Sequence, residues 1–219
     1  MTNKKLMLLE LVGLFFLSGC LPRQKVVEEG GEEVSPSPPP LTVTEGQEEM
    51  KKILFVVAPV DFRDEEYLKP KAVLEGAGYE IVTASKGVRE AKGSLGATAD
   101  VDLDVAQAQA ADYSAVVFVG GSGTTIYFSE KEALRLAEEA NDQGKVVGAI
   151  CIAPSILANA GILKGKKATV YSSEAENLKS KGAFYINQPV VFDGKIVTAN
   201  GPGAAEEFGR KILEILGGS

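Results

Sequence analysis

The 219-residue chain contains no histidine and no tryptophan, and it has only two cysteines, Cys20 and Cys151. Without histidine, a Cys-His or Ser-His relay is excluded within the chain, and with it the usual route to an activated nucleophile. The same absence argues against a zinc site, whose common ligand sets combine several Cys and His. We expect no metal and no cofactor. An excess of positive charge is also missing. Lys and Arg number 23 against 30 Asp and Glu, a formal net charge of −7. With no basic stripe, this balance argues against a nucleic-acid partner. No apolar run reaches the roughly 20 residues of an ordinary spanning helix. What is present is a 45% hydrophobic composition, enough for one globular domain with a substantial core.

The first 50 residues do not read as part of that domain. Lys4 and Lys5 precede an apolar run from Leu6 to Leu17, which ends in Leu17-Ser18-Gly19-Cys20. This resembles a lipoprotein signal, with a basic start, a short apolar region and a lipobox. Glu10 inside the apolar run is a departure from the pattern. The resemblance implies a signal peptide over 1–19, removed before a lipidated Cys20. The mature protein would then be held by lipid on the outer face of the cell membrane. Residues 20–50 are rich in Glu, Pro, Ser and Gly, with Pro36-Ser37-Pro38-Pro39-Pro40 at the centre. Such a stretch buries too little apolar surface to order itself, so it is expected to be a disordered tether. If Cys20 carries lipid, Cys151 is left as a free thiol in a compartment where structural cysteines usually pair.

From 51 to 219 the pattern is that of an α/β domain. Ile53-Leu54-Phe55-Val56-Val57-Ala58 and Ala115-Val116-Val117-Phe118-Val119 are continuous apolar runs, as expected for strands buried on both faces. Further strands are expected at 79–84, 146–150 and 168–171. Helices are expected at 64–76, weakly at 104–111, at 130–141 with Ser129 as its cap, and at 154–160, 174–180 and 206–216. Residues 86–104 read as a loop or small hairpin. Val190 to Thr198, with Asp193-Gly194 between two apolar stretches, reads as a hairpin. Strands alternating with helices imply a mostly parallel sheet covered on both faces, with its site at strand C-termini.

Cys151 stands where a buried strand meets a helix, in Val146-Val147-Gly148-Ala149-Ile150-Cys151-Ile152-Ala153-Pro154. Small residues two positions either side of a nucleophile are the pattern of a nucleophile elbow, here with Cys in place of Ser. The following helix is expected to aim N–H groups at the sulfur and favour thiolate. Gly121 and Ile152 are candidate backbone donors of an oxyanion hole, because glycine permits the close approach that such a hole needs. Gly120, Tyr171 and Ser155 are candidate neighbours. Asp61-Phe62-Arg63-Asp64-Glu65-Glu66 follows the first strand, at the same sheet edge as Cys151. Its spacing selects no single carboxylate.

Together these pieces resemble the ThiJ/PfpI family of the class I glutamine amidotransferase-like superfamily, over about Lys51 to the C-terminus. The likeness rests on the first strand, the acidic segment, Val119-Gly120-Gly121, Ala149-Ile150-Cys151-Ile152-Ala153-Pro154, and Asn200-Gly201-Pro202-Gly203-Ala204. It implies a flavodoxin-like three-layer sandwich with a small β-hairpin, often a homodimer. It also implies glyoxalase- or deglycase-like action on a small-molecule carbonyl or a modified protein or thiol. In the family a glutamate after the first strand contacts the cysteine. That role falls on Glu66, with Glu65 as the alternative in register, and burial beside the sulfur would raise its pKa. A non-catalytic redox sensor acting through Cys151, or a binding module on the same fold, are the other readings. Peptidase-like members carry His directly after the cysteine, where this chain has Ile152. Others carry His on the next strand, where this chain has Tyr171. Both departures count against peptidase or amidotransferase chemistry.

Overall fold

The two continuous apolar runs form the middle of a sheet, because a strand covered by helices on both faces has no polar side to show. The computed structural model describes residues 51–218. The expected signal segment, the tether and Cys20 lie outside the described residues. In chain order the elements are β1 (Lys52–Val56), β2 (Val60–Phe62), α1 (Asp64–Gly76), β3 (Glu80–Ser85), β4 (Glu90–Gly93), β5 (Thr98–Asp100) and β6 (Leu103–Asp104). They continue with β7 (Ala115–Phe118), α2 (Lys131–Asp142), β8 (Val146–Ile150), α3 (Pro154–Asn159), β9 (Lys167–Ala168) and α4 (Ala175–Ser180). The chain closes with β10 (Phe184–Tyr185), β11 (Val190–Asp193), β12 (Ile196–Ala199) and α5 (Ala205–Gly217).

Seven strands make the main sheet in the order β11-β12-β8-β7-β1-β3-β6. All its pairings are parallel except the β11–β12 hairpin. Helices α1 and α5 pack together on one face, and α2 packs with α3 on the other. The fold is thus a three-layer α/β sandwich of the flavodoxin-like kind. Residues of β1, β7 and β8 are nearly all fully buried, as are Phe208 and Ile212 of α5. This sheet places the C-terminal ends of β1, β7 and β8 side by side, and the functional residues gather there.

Several local expectations are corrected. The cap of α2 is Glu130, whose carboxylate accepts from the Ala133 N–H at 2.9 Å, rather than Ser129. The weak helix at 104–111 is two short 3₁₀ turns, Val105–Gln107 and Ala110–Asp112. The strand expected at 168–171 is only the two-residue β9. It pairs with β10 in a separate small sheet, because Tyr171 turns away to bond the Cys151 carbonyl. The segment at 86–104 is a hairpin, β4 with β5. It is extended by β2 into a three-stranded sheet that the apolar pattern did not signal. An irregularity between Val60 and Phe62 shifts the β2 register there, with Asp61 at φ +56°.

Candidate active site

The site is built on two strand ends and one helix start. At the end of β8, Cys151 takes φ +63°, a conformation that L side chains rarely adopt. Such strain costs on the order of 1–3 kcal/mol and persists only where the surroundings over-determine it. Here the Cys151 N–H donates to the Ala199 carbonyl at 2.9 Å, and its carbonyl accepts from the Tyr171 N–H at 2.8 Å. Both backbone groups are therefore tied down. Ala149 and Ala153 are fully buried, consistent with the need for small side chains around an elbow. Helix α3 starts only at Pro154, after a three-residue turn.

At the end of β7, the Gly120 carbonyl accepts from the Arg63 N–H at 2.9 Å. This bond holds the start of α1 against the cysteine. A side chain at Gly120 would overlap the Cys151 Cβ and the Glu66 Oε2. The glycine therefore sets how closely the thiol and the carboxyl approach. Gly121 follows at φ +108°, and a Cβ there would run into the backbone of Asp61 to Arg63. The N–H groups of Gly121 and Ile152 face the sulfur and favour its ionised form.

Helix α1 sorts its three consecutive carboxylates into different surroundings. Asp64 accepts from the N–H groups of Leu95 at 2.9 Å and Ala97 at 2.6 Å, which pins the β4–β5 turn. Burial works against its ionisation, but these N–H groups outweigh it and its pKa is lowered. Glu65 forms a two-pronged pair with Arg63 at 2.8 and 3.2 Å, both side chains partly exposed. Glu66 is 0% exposed. Burial pushes its pKa up to about 8, although the adjoining thiol and the Gly120 N–H pull the other way. Neither of its carboxyl oxygens completes a well-formed hydrogen bond. The ambiguity between Glu65 and Glu66 is thereby resolved in position, since only Glu66 lies against Cys151.

The expectation of a thiol poised as thiolate is corrected. Burial, and then the neighbouring Glu66 carboxylate, push the Cys151 thiol up to about 12. The two N–H groups oppose this without overcoming it. Near neutral pH the pair therefore rests with its protons on, and an incoming group must draw the thiolate out.

A cleft of about 650 Å³ opens over the sulfur, lined by Arg63, Glu66, Gly121, Cys151, Ile152, Tyr171 and Glu174, among others. The geometry thus gathers Cys151, Glu66, Gly121, Ile152 and Tyr171, with Gly120 beneath the first two. Ser155 does not line the cleft. It is fully buried, and its hydroxyl donates to Glu174 Oε2 at 2.9 Å. Glu174 and Arg63 as lining residues were missed by sequence reasoning. Glu174 lies 19 positions from Ser155, and no local pattern signals such a pair. Among the described residues, no group of three or more His, Cys, Asp or Glu is placed to hold a metal ion. No described helix is long and apolar enough to cross a membrane.

Fold and site together define a strand-elbow cysteine protein of the flavodoxin-like sandwich class. Residues 51–215 match the DJ-1/PfpI family, and the chain belongs to it, within the class I glutamine amidotransferase-like superfamily. An uncharacterized protein of Methanocaldococcus jannaschii is 44% identical over 177 residues, spanning 78% of this chain and 86% of that one. Deglycase PfpI of Pyrococcus furiosus is 33% identical over 167 residues, spanning 75% of this chain and 99% of the relative. Among solved structures, a ThiJ/PfpI domain protein from Brachyspira murdochii superposes with a TM-score of 0.76. It is 33% identical and covers 77% of this chain and 98% of its own. The association with deglycase- and PfpI-type enzymes holds at the level of the family.

Proposed function

We propose that the domain is a cysteine-dependent enzyme acting on small reactive carbonyls or carbonyl adducts, in the manner of a glyoxalase or deglycase. The observation that carries this is the strained Cys151 beside a buried, otherwise unpartnered Glu66, both opening into one cleft. A base works best when its pKa lies near the operating pH, and Glu66 at about 8 fits that role. In the proposed reaction the ionised fraction of Glu66, a minority near neutral pH, takes the thiol proton as sulfur adds to the carbonyl carbon. The C–S bond forms, the carbonyl π pair moves to oxygen, and the Gly121 and Ile152 N–H groups stabilise that oxyanion. Glu66 then returns the proton to oxygen, which leaves a hemithioacetal. With a 2-oxoaldehyde, shifting the carbon-bound proton to the neighbouring carbonyl gives a thioester. Water hydrolyses that thioester to a 2-hydroxy acid and frees the thiol, so no external oxidant is consumed. With no histidine in the chain, a second copy would supply none either, so this route needs only groups the protein has.

The test is methylglyoxal turnover by the wild type and by Cys151→Ser. Turnover lost in the variant supports the reading, and equal turnover in both sinks it. The same ring of donors around the sulfur supports a second reading, redox sensing through oxidation of Cys151. Intact mass after mild peroxide should then show a gain of about 32 Da, the sulfinic product. No such species would remove that alternative.

For the chain as a whole we propose a signal over 1–19, lipid on Cys20, a tether over 20–50 and an outer-face location, with the domain as a homodimer. Loss of membrane partition in Cys20→Ser, and a dimer mass by sedimentation, are the expected results.

A further inference from the structure

The cleft's charge is not balanced. Of its ionisable lining residues, Arg63 is neutralised by the two-pronged pair with Glu65, and Glu66 is held largely protonated near neutral pH. Glu174 remains. Its Oε2 is fixed by the buried Ser155 hydroxyl at 2.9 Å, and its Oε1 meets only the exposed Ser173 hydroxyl, at 3.5 Å. No cation among the described residues forms an ion pair with it. A carboxylate clamped by a fully buried donor cannot swing into solvent as a free surface side chain does. Its charge therefore stays at the wall of the cleft that Cys151 also lines, where partial exclusion of water strengthens its field.

We propose that Glu174 is a specificity-determining residue of the cleft, a charge selector that favours carbonyl compounds bearing a nearby cationic group and disfavours anionic ones such as free 2-oxo acids. The inference rests on Cys151 being the reactive group of this cleft. Ser155 is the positioning residue that holds the selector in place.

The test uses the full chain carrying Cys20→Ser, so that Cys151 is the only thiol. It is treated with two methanethiosulfonates of similar size, one ending in trimethylammonium and one in sulfonate. In each reaction the cysteine sulfur bonds to the reagent's sulfenyl sulfur and methanesulfinate leaves. Rates are normalised to those of a small free thiol. The expected cation-to-anion preference is about tenfold at low salt, shrinking in 1 M salt. In Glu174→Gln, whose amide oxygen still accepts from Ser155, the preference should fall to about twofold or less. Glu176→Gln, which breaks the surface pair of Glu176 with Lys179, should leave it unchanged. A preference that survives Glu174→Gln, or none in the parent chain, overturns the proposal. Phenylglyoxals with 4-trimethylammonio and 4-carboxy groups extend the test to turnover. Methylglyoxal hydrolysis decides the catalytic reading separately. A chain that turns over no methylglyoxal but keeps a Glu174-dependent preference retains the selector and loses only the enzyme.

Discussion

Replacing Glu66 with Gln should make the protein more stable, and increasingly so as pH rises. In the unfolded chain Glu66 titrates near its ordinary 4.5, whereas in the fold burial lifts it to about 8. An acid whose folded pKa is raised binds its proton more tightly in the native state. Below about pH 4.5 it is neutral in both states and adds no penalty. Between about pH 4.5 and 8 the unfolded chain ionises while the folded one does not, so stability falls by up to about 1.4 kcal/mol per pH unit. At pH 7 the accumulated cost is about 3 kcal/mol, and above about 8 it levels off. Gln has nearly the same shape and no ionisation, so Glu66→Gln should match the wild type near pH 4.5 and exceed it by about 3 kcal/mol at pH 7. For a domain of this size that is a rise in melting temperature of about 6–12 °C. Denaturant midpoints from pH 4.5 to 8.5 for both proteins give the difference curve directly. Two parallel curves would refute the reasoning, because an offset that does not change with pH reflects packing rather than a raised carboxyl pKa. A positive slope would mean that the fold sacrifices stability at neutral pH to keep this carboxyl beside the sulfur, the trade-off common at functional sites.

Three further outcomes follow from the same geometry. Alkylation of Cys151 by iodoacetamide should stay slow at neutral pH in the wild type and climb only well into the alkaline range, since burial and the Glu66 carboxylate hold the thiol up at about 12. In Glu66→Gln the climb should move to lower pH, since the negative charge that holds the thiol proton on is gone; an unchanged or higher profile would contradict the coupling. Gly120→Ala places a methyl against the Cys151 Cβ and Glu66 Oε2. Turnover should drop on the order of 100-fold through misplacement of the pair, and a normal rate in the folded variant would count against Glu66 as proton carrier. Tyr127→Phe removes a buried hydroxyl that donates to the Val57 carbonyl at 2.9 Å and accepts from the Lys86 N–H at 3.1 Å. It should cost about 1–3 kcal/mol in denaturant unfolding while leaving the alkylation profile of Cys151 in place.

The sheet was readable in the sequence because its central strands are buried on both sides and so are apolar throughout. β1, β7 and β8 needed no partner information to be found. β2 was not readable, and β9 was read only as a longer strand at 168–171, since two or three residues carry no periodicity and are extended only through tertiary contacts. The elbow cysteine was visible from its small neighbours, but spacing alone did not select its partner, which only the family resemblance put on Glu66. Asp64, Glu65 and Glu66 look equivalent in one dimension. They differ because a helix turns about 100° per residue and sends them in three directions: to the β4–β5 turn, to Arg63 and to the sulfur. The expected thiolate failed for a related reason. Local sequence shows the donors that follow a cysteine, but not how deeply the thiol and its neighbouring carboxyl are buried.

The anchoring of Cys151 has a consequence for the order in which the molecule comes into being. The strained residue is held by the Tyr171 N–H and the Ala199 carbonyl, both made well after it during synthesis. A chain halted before Ala199 already contains β1, β3 and β7, yet lacks the acceptor that keeps Cys151 at φ +63°. Without that acceptor, only the Tyr171 N–H is left to hold the strained elbow. The anchoring of the site is therefore complete only when nearly the whole domain has been made.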